Sequence, residues 1–164
     1  ARQCADGCVA FGRRRILRRA AARKTGRACR SRSLSHRQGR QVLVLVDQAD
    51  LPEDNWQDPS RGSIRWKTLL SGDVTATEKL VCGIAIMDTG ETFALHSHPD
   101  PELYFGLAGE VDVHINGTVH RLKPGIALFI PGNAVHGVIH ADQPVRWFYT
   151  FAANAFADIA YTFA

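Results

Sequence analysis

The stretch GETFALHSHPDPELYFGLAG, residues 90–109, decides the fold of this chain. It places His96 and His98 two residues apart, with Glu102 four residues after His98. Side chains two apart on a strand point to the same face, so both imidazoles face one way. A further histidine, His136, lies 34 residues beyond Glu102. Imidazole and carboxylate ligands together suit divalent transition metals, so this spacing predicts a metal site.

The same four residues define the expected cofactor. We predict one divalent transition metal ion per domain, bound by His96, His98, Glu102 and His136. Iron, manganese, nickel and zinc all accept such ligands, as does copper, and the sequence leaves the choice among them open.

Short apolar runs separated by turn residues continue through most of the chain. The dipeptide Asn116-Gly117 is a strong signal for a two-residue hairpin. Strands of this length and spacing predict an all-β sandwich or closed barrel. We also expect a short strand or edge element at Val42–Val46, one helical turn or a loop at Ala152–Ala160, and closure of the barrel mouth by Tyr161–Phe163. The other predicted strands are Leu80–Met87, Thr92–His98, Glu102–Leu107, Val111–Ile115, Thr118–Leu122, Ile126–Ile130, Val135–His140 and Val145–Phe151.

The glycines and prolines around the ligands identify a family resemblance. Over roughly residues 62–163 the chain resembles the cupin superfamily. Its first motif, G-x5-HxH-x3-E-x6-G, is matched at every fixed position, from Gly90 to Gly109. The second, G-x5-PxG-x2-H-x3-N, is matched at Gly125, Pro131 and His136, but departs at Asn133 and His140. The resemblance implies a single-domain cupin fold, a small β-barrel or jelly roll.

Within the cupins, the chain is similar to the cupin-type dimethylsulfoniopropionate lyases, which release dimethyl sulfide and acrylate. The shared residues include Ile64-Arg65-Trp66-Lys67, Glu102-Leu103-Tyr104, Gly132–His136, Phe148–Phe151 and Phe156–Tyr161. This resemblance implies a carbon–sulfur lyase acting on a small carboxylate, in which Tyr104 and Tyr161 serve the elimination. Two other functions stay open at this point: a metal-dependent dioxygenase, and a non-enzymatic sensor that binds a small ligand.

The chemistry of an elimination agrees with these residues. A metal ion stabilises the charge that builds on a carboxylate when the adjacent carbon loses its proton. A tyrosine near the cation has its pKa lowered and acts as the base. Aromatic rings such as Trp66 and Tyr149 favour a sulfonium cation. His140 shares strand parity with His136, which predicts that it lines the same pocket.

Charge divides the chain into two parts. Residues 1–40 hold 13 basic residues and one acid, a net charge of about +12, whereas residues 41–164 carry about −8. We predict a disordered basic tail over 1–40 and a cupin domain over 41–164, because the tail has too few apolar residues for a core. Such a tail also suits a nucleic-acid or membrane-surface contact or an organelle transit peptide.

The remaining composition bounds the partners and the compartment. No apolar run reaches the roughly 18 residues of a membrane span, and no apolar region follows the basic tail as in a secretory signal. We therefore expect a cytoplasmic protein without a membrane or nucleic-acid partner. Cupin barrels commonly pair, and Val42–Val46 offers an extra strand, so we expect a homodimer. Cys82 lies in an apolar run and is expected to be buried.

We expect residues 1–40 to be dispensable for folding and metal binding. A chain that begins at Gln41 should keep its metal content and its melting temperature, because the tail contributes no core. Differential scanning calorimetry and metal analysis of both chains test this expectation. A melting temperature lower by more than about 4 °C, the effect of roughly 1 kcal/mol, would contradict it.

Overall fold

The computed structural model of the chain describes residues 43–164. Nearly all regular structure in this range is β-strand, accompanied by three single-turn 3₁₀ helices at Gln48–Asp50, Pro59–Arg61 and Phe156–Asp158. The strands are β1 (Asp54–Asn55), β2 (Arg65–Leu70), β3 (Val81–Met87), β4 (Phe93–Ser97), β5 (Glu102–Ala108), β6 (Val111–Ile115), β7 (Thr118–Leu122), β8 (Ala127–Ile130), β9 (His136–Val138), β10 (Val145–Phe151) and β11 (Thr162–Phe163).

Two antiparallel sheets form a jelly roll, which confirms the predicted fold class. One sheet has the order β1-β2-β3-β10-β5-β8, and the other has the order β11-β4-β9-β6-β7. Strand β10 shows why the sheets enclose a core: Val145, Trp147, Tyr149 and Phe151 are buried, while the residues between them are partly exposed. This period of two directs one face of β10 toward the interior.

Turn residues set the register of the predicted hairpin. Asn116 and Gly117 have φ values of 48° and 78°, and they join β6 to β7 with Ile115 opposite Thr118. Positive φ at both central positions is the geometry that Asn-Gly favours in a two-residue hairpin. The prediction from this dipeptide is confirmed, and the turn fixes which side chains of β6 face inward.

Two positions in the cupin motifs have backbone conformations that restrict the residue. Gly109 has a φ of 65°, and a Cβ there would lie 2.1 Å from the carbonyl oxygen of Pro144, so a side chain does not fit. Asn133, which replaces the usual glycine of the second motif, has a φ of 64°. Asparagine tolerates the left-handed region better than most residues, so this departure is compatible with the fold.

The predicted strand at Val42–Val46 is wrong over the part that the structure describes. Residues 43–46 form no strand, and Leu43 and Leu45 are 88% and 86% exposed. A strand needs a neighbour for its backbone groups, and β1 already occupies the edge next to β2. The homodimer stays a prediction, but it loses the extra strand that supported it.

Several other expectations have a definite outcome. Cys82 is buried, and burial raises the pKa of its thiol, as expected of a small core residue. Phe156–Asp158 supplies the single helical turn expected within Ala152–Ala160. Within residues 43–164, no helix is long and apolar enough to cross a membrane. The predicted basic tail over 1–40 lies outside the described residues.

We expect Leu122→Ala to destabilise the domain strongly, whereas Val119→Ala on the same strand should not. Leu122 is fully buried and Val119 is 51% exposed. Removing a buried leucine side chain costs about 2–5 kcal/mol of unfolding free energy. An exposed valine should cost about 0.5 kcal/mol or less. Urea unfolding of the two variants measures the difference, and equal losses would contradict the assigned orientation of β7.

Candidate metal centre and pocket

Pairing of β4 with β9 brings three histidines together. His96 lies opposite His136 in the register of these strands, and His98 follows two residues after His96. One ring nitrogen of each residue belongs to a group whose members all lie within 4.8 Å of one another. All three side chains are at most 2% exposed. Three of the four predicted ligands therefore converge at one buried point.

Backbone carbonyls hold all three imidazoles in one orientation. His96 Nδ1 donates to the carbonyl oxygen of Ala94 at 2.8 Å, and His136 Nδ1 donates to that of Ala134 at 2.8 Å. His98 Nδ1 donates to the carbonyl oxygen of Asp100 at 2.7 Å. These hydrogen bonds assign the proton to Nδ1, so each Nε2 presents a lone pair. This is the arrangement that metal-binding histidines have in proteins.

Two of the three Nε2 atoms, those of His96 and His98, lack the partners that a metal-free site needs. Among the described residues, no donor reaches Nε2 of His96 or His98, although both atoms are buried. Buried polar atoms without a partner are uncommon in native proteins. A metal ion accepts all three lone pairs at once, so the residues present fit a divalent transition metal.

Glu102, the first residue of β5, lies beside the histidine side chains. Its Oε2 atom lies 3.2 Å from His136 Nε2 and 3.5 Å from His98 Nε2, and the residue is 4% exposed. A carboxylate oxygen and an imidazole lone pair repel each other unless a proton or a metal cation lies between them. The position of Glu102 is therefore compatible with its predicted role as the fourth ligand.

Electrostatics differ among the three histidines. Burial lowers the pKa of His96 to about 3, with a further contribution from His136, so its imidazole is neutral near pH 7. Burial alone lowers the pKa of His98, but the adjacent Glu102 carboxylate outweighs it and raises that pKa. A metal ion must displace any proton at His98, which makes binding weaker at lower pH.

An aromatic pocket adjoins the centre. It has about 320 Å³ of empty space, part of it open to solvent. Glu102 is the one charged residue among the described residues that line it. Much of the remaining lining is aromatic, with Trp56, Trp66, Phe156 and Tyr161 in a ring of contacts whose centroids are 4.9–6.2 Å apart.

Comparison with known proteins agrees with the geometry. Residues 83–151 match the cupin domain family. The chain is 38% identical over 118 residues to dimethylsulfoniopropionate lyase DddW of Ruegeria pomeroyi, covering 72% of this chain and 78% of that protein. The chain belongs to the cupin superfamily. It resembles the dimethylsulfoniopropionate lyases within it, as its motifs predicted.

Solved structures show the same fold at lower identity. A chain from crystal structures of the dimethylsulfoniopropionate lyases RdDddP and RnDddQII has a TM-score of 0.59 and 20% identity, covering 70% of this cupin and 62% of that chain. A predicted oxalate decarboxylase from Thermotoga maritima has a TM-score of 0.58 and 19% identity, covering 67% and 99%. These likenesses support the jelly roll and leave the reaction to the site itself.

The two predicted catalytic tyrosines both line the pocket of this cupin. Tyr104 is 2% exposed, and its ring lies 6.2 Å from that of His136. The ring of Tyr161 lies 5.4 Å from that of His96 and 5.3 Å from that of His98. Burial, with the charge of Glu102, raises the pKa of both hydroxyls. This is opposite to the lowering that a phenolate base needs, and a bound cation acts in the lowering direction.

The predicted substrate-lining residues separate into two groups. Trp66 and Tyr149 line the pocket. His140 does not: its side chain is 57% exposed and lies 3.5 Å from Asp142. Strand β9 ends at Val138, so the alternation that gave His140 the same direction as His136 stops before it. The prediction for His140 therefore assumed a longer strand than the cupin has.

Trp56 is a pocket residue that the sequence analysis missed. Its ring lies 4.9 Å from Trp66 and 5.1 Å from Tyr161, and the guanidinium of Arg61 lies 5.2 Å from its centroid. Trp56 follows the two-residue strand β1, where no alternating pattern marks an inward position. Its aromatic character, close before Trp66, is the one signal that the sequence offered.

We expect His98→Ala to lose the metal and His140→Ala to keep it. Both changes remove an imidazole, but only that of His98 points at the other ligands. Loss of a ligand should weaken metal binding by at least about tenfold, since changes outside the ligand shell already have that effect. Metal analysis after dialysis measures both variants. Equal metal content in His98→Ala and the parent would contradict the assigned centre.

Proposed function

We propose that this cupin is a metal-dependent lyase that releases dimethyl sulfide from dimethylsulfoniopropionate and leaves acrylate. The observation that carries the proposal is the aromatic pocket beside the three-histidine centre, with no basic side chain among its described lining residues. Aromatic faces attract a sulfonium cation, and a lysine or arginine would repel it. The similarity to DddW supports the same substrate.

The reaction divides among the groups of the site. A base removes a proton from the carbon next to the carboxylate, and that electron pair forms the carbon–carbon double bond. The carbon–sulfur bond breaks at the same time or afterwards, and dimethyl sulfide leaves with its electron pair. His96, His98, Glu102 and His136 would hold a divalent ion, which would supply Lewis-acid stabilisation of the negative charge on the carboxylate.

We assign the handling of the proton to Tyr104 and Tyr161. Both line the pocket, and both lie against the histidine rings. Their hydroxyls either accept the proton or hold the substrate in position. Because the protein around them raises their pKa, the unassisted hydroxyls are neutral near pH 7. Turnover through a phenolate therefore rises as the pH is raised.

We expect at least one of Tyr104→Phe and Tyr161→Phe to lose turnover by on the order of 10²–10⁴ while retaining metal, the effect of removing a general base. Phenylalanine keeps the ring and removes only the hydroxyl, so packing survives. Headspace dimethyl sulfide and dissolved acrylate are measured together from metal-loaded protein. The matched control is His140→Ala, whose exposed side chain should leave turnover unchanged.

Two outcomes would contradict parts of this account. Near-parent turnover in both tyrosine variants would show that neither hydroxyl is the base. A metal-loaded parent that releases neither product would reject the lyase, and oxygen consumption in the same experiment would indicate a dioxygenase instead.

A further inference from the structure

Two hydrogen-bond donors on β10 have no acceptor. The indole Nε1 of Trp147 and the hydroxyl of Tyr149 are buried, and among residues 43–164 neither donates a hydrogen bond to an acceptor. Trp147 is fully buried and Tyr149 is 4% exposed, and both side chains line the aromatic pocket. Such donors are uncommon in folded proteins unless a ligand or an ordered water completes them.

The strand register explains why both donors belong to one wall. Positions 147 and 149 lie on the same face of β10, which is the inward face. Their partners on β3 are Ala85 and Gly83, which carry a methyl group and no side chain, so the inward face of β3 makes room for the two larger side chains of β10. A Cβ added to Gly83 would lie 2.4 Å from the Tyr149 hydroxyl, so that hydroxyl occupies the space over the glycine.

The buried N–H of Trp147 and O–H of Tyr149 both need a hydrogen-bond acceptor. An indole nitrogen donates and never accepts. Burial raises the pKa of the Tyr149 hydroxyl, and a hydrogen bond from the Thr68 side chain to its oxygen partly opposes this, so the hydroxyl keeps its proton to donate. The indole Nε1 of Trp56, outside β10, is also buried without a described partner. The carboxylate in the pocket, that of Glu102, lies against His98 and His136.

We propose that Trp147 and Tyr149 recognise the carboxylate of the ligand by donating to its oxygen atoms, and so determine the specificity of the pocket for small carboxylates. This inference rests on the proposed function in that the ligand carries a carboxylate. It assigns the two ends of a zwitterionic ligand to different walls. The β10 donors hold the same carboxylate whose charge the metal ion stabilises in the proposed reaction, and the cationic end faces the rings of Trp56, Trp66 and Phe156.

Titration calorimetry with two small probes tests the assignment in the metal-loaded full chain. Acrylate carries the carboxylate alone, and tetramethylammonium carries an onium charge alone. Tyr149→Phe and Trp147→Phe should each weaken acrylate binding by about tenfold or more, the usual effect of losing a hydrogen bond to a charged group. Tetramethylammonium affinity should change by less than about twofold, because the aromatic faces remain.

Phe148→Leu is the matched control, because residue 148 lies between the two donors but on the opposite face of β10. It should bind both probes as the parent does. Tyr149→Phe loses a single oxygen atom and keeps its ring, so it reports on the donor even if Trp147→Phe fails to fold.

Each result separates this inference from the proposed reaction. If Tyr149→Phe binds acrylate as tightly as the parent does, the proposed carboxylate-binding role is overturned, even if that variant still releases dimethyl sulfide. Equal loss of affinity for both probes also overturns this role, since the substitution has then damaged the pocket in general. A parent that does not bind acrylate at millimolar concentration overturns the carboxylate specificity. If the variants bind acrylate more weakly and tetramethylammonium unchanged, but the parent releases no dimethyl sulfide, the carboxylate-binding role of Trp147 and Tyr149 is supported and the lyase activity is rejected.

Discussion

Three hydrogen bonds from imidazole Nδ1 atoms to backbone carbonyls are the constraint on which this site depends. His96 and His136 each donate to the carbonyl two residues earlier, and His98 donates to the carbonyl two residues later. These bonds consume the imidazole protons and direct the Nε2 lone pairs to a common point. Because the acceptors are backbone atoms, the orientation follows from the path of the chain through β4, the turn after it and the segment before β9, rather than from other side chains.

This arrangement sets a conflict between stability and function. Burying the Nε2 atoms of His96 and His98 without partners destabilises the protein by about 1–3 kcal/mol per group. The Glu102 carboxylate adds a buried charge against two lone pairs. A cation that binds only the folded state reverses this cost and stabilises the domain according to its concentration. The jelly roll around the site must tolerate the metal-free state, and the buried residues of β10 belong to the hydrophobic core that stabilises it.

The aromatic shell adds a second constraint on the chemistry. Tyr161 lies between the histidines and the rings of Trp56 and Phe163, so it belongs to the pocket and to the packing of the centre at once. Arg61 lies 4.9 Å from Phe163 and 5.2 Å from Trp56, which links the segment before β2 to the last strand. The low polarity of these rings makes electrostatic interactions in the pocket stronger than in water.

Sequence patterns predicted the parts of this molecule that depend on local geometry. His96 and His98 share a face because β-strands alternate, and Asn116-Gly117 fixed a hairpin through its positive φ angles. Expectations were wrong where tertiary contacts decide. Residues 43–46 are a continuous apolar run of the kind found in strands but have no neighbouring strand, and His140 lies beyond the end of β9. Trp56 reaches the pocket only because β1 pairs with β2, which no local pattern records.

X-ray absorption at the metal edge tests the central claim most directly, because it reports the ligands around a bound ion in the intact protein. The account predicts one ion per chain, with three imidazole nitrogen ligands and oxygen ligands that include a carboxylate. It also predicts one fewer imidazole in His136→Ala, if that variant still binds the ion. A sulfur ligand, or fewer than three imidazoles in the parent, would contradict the three-histidine centre.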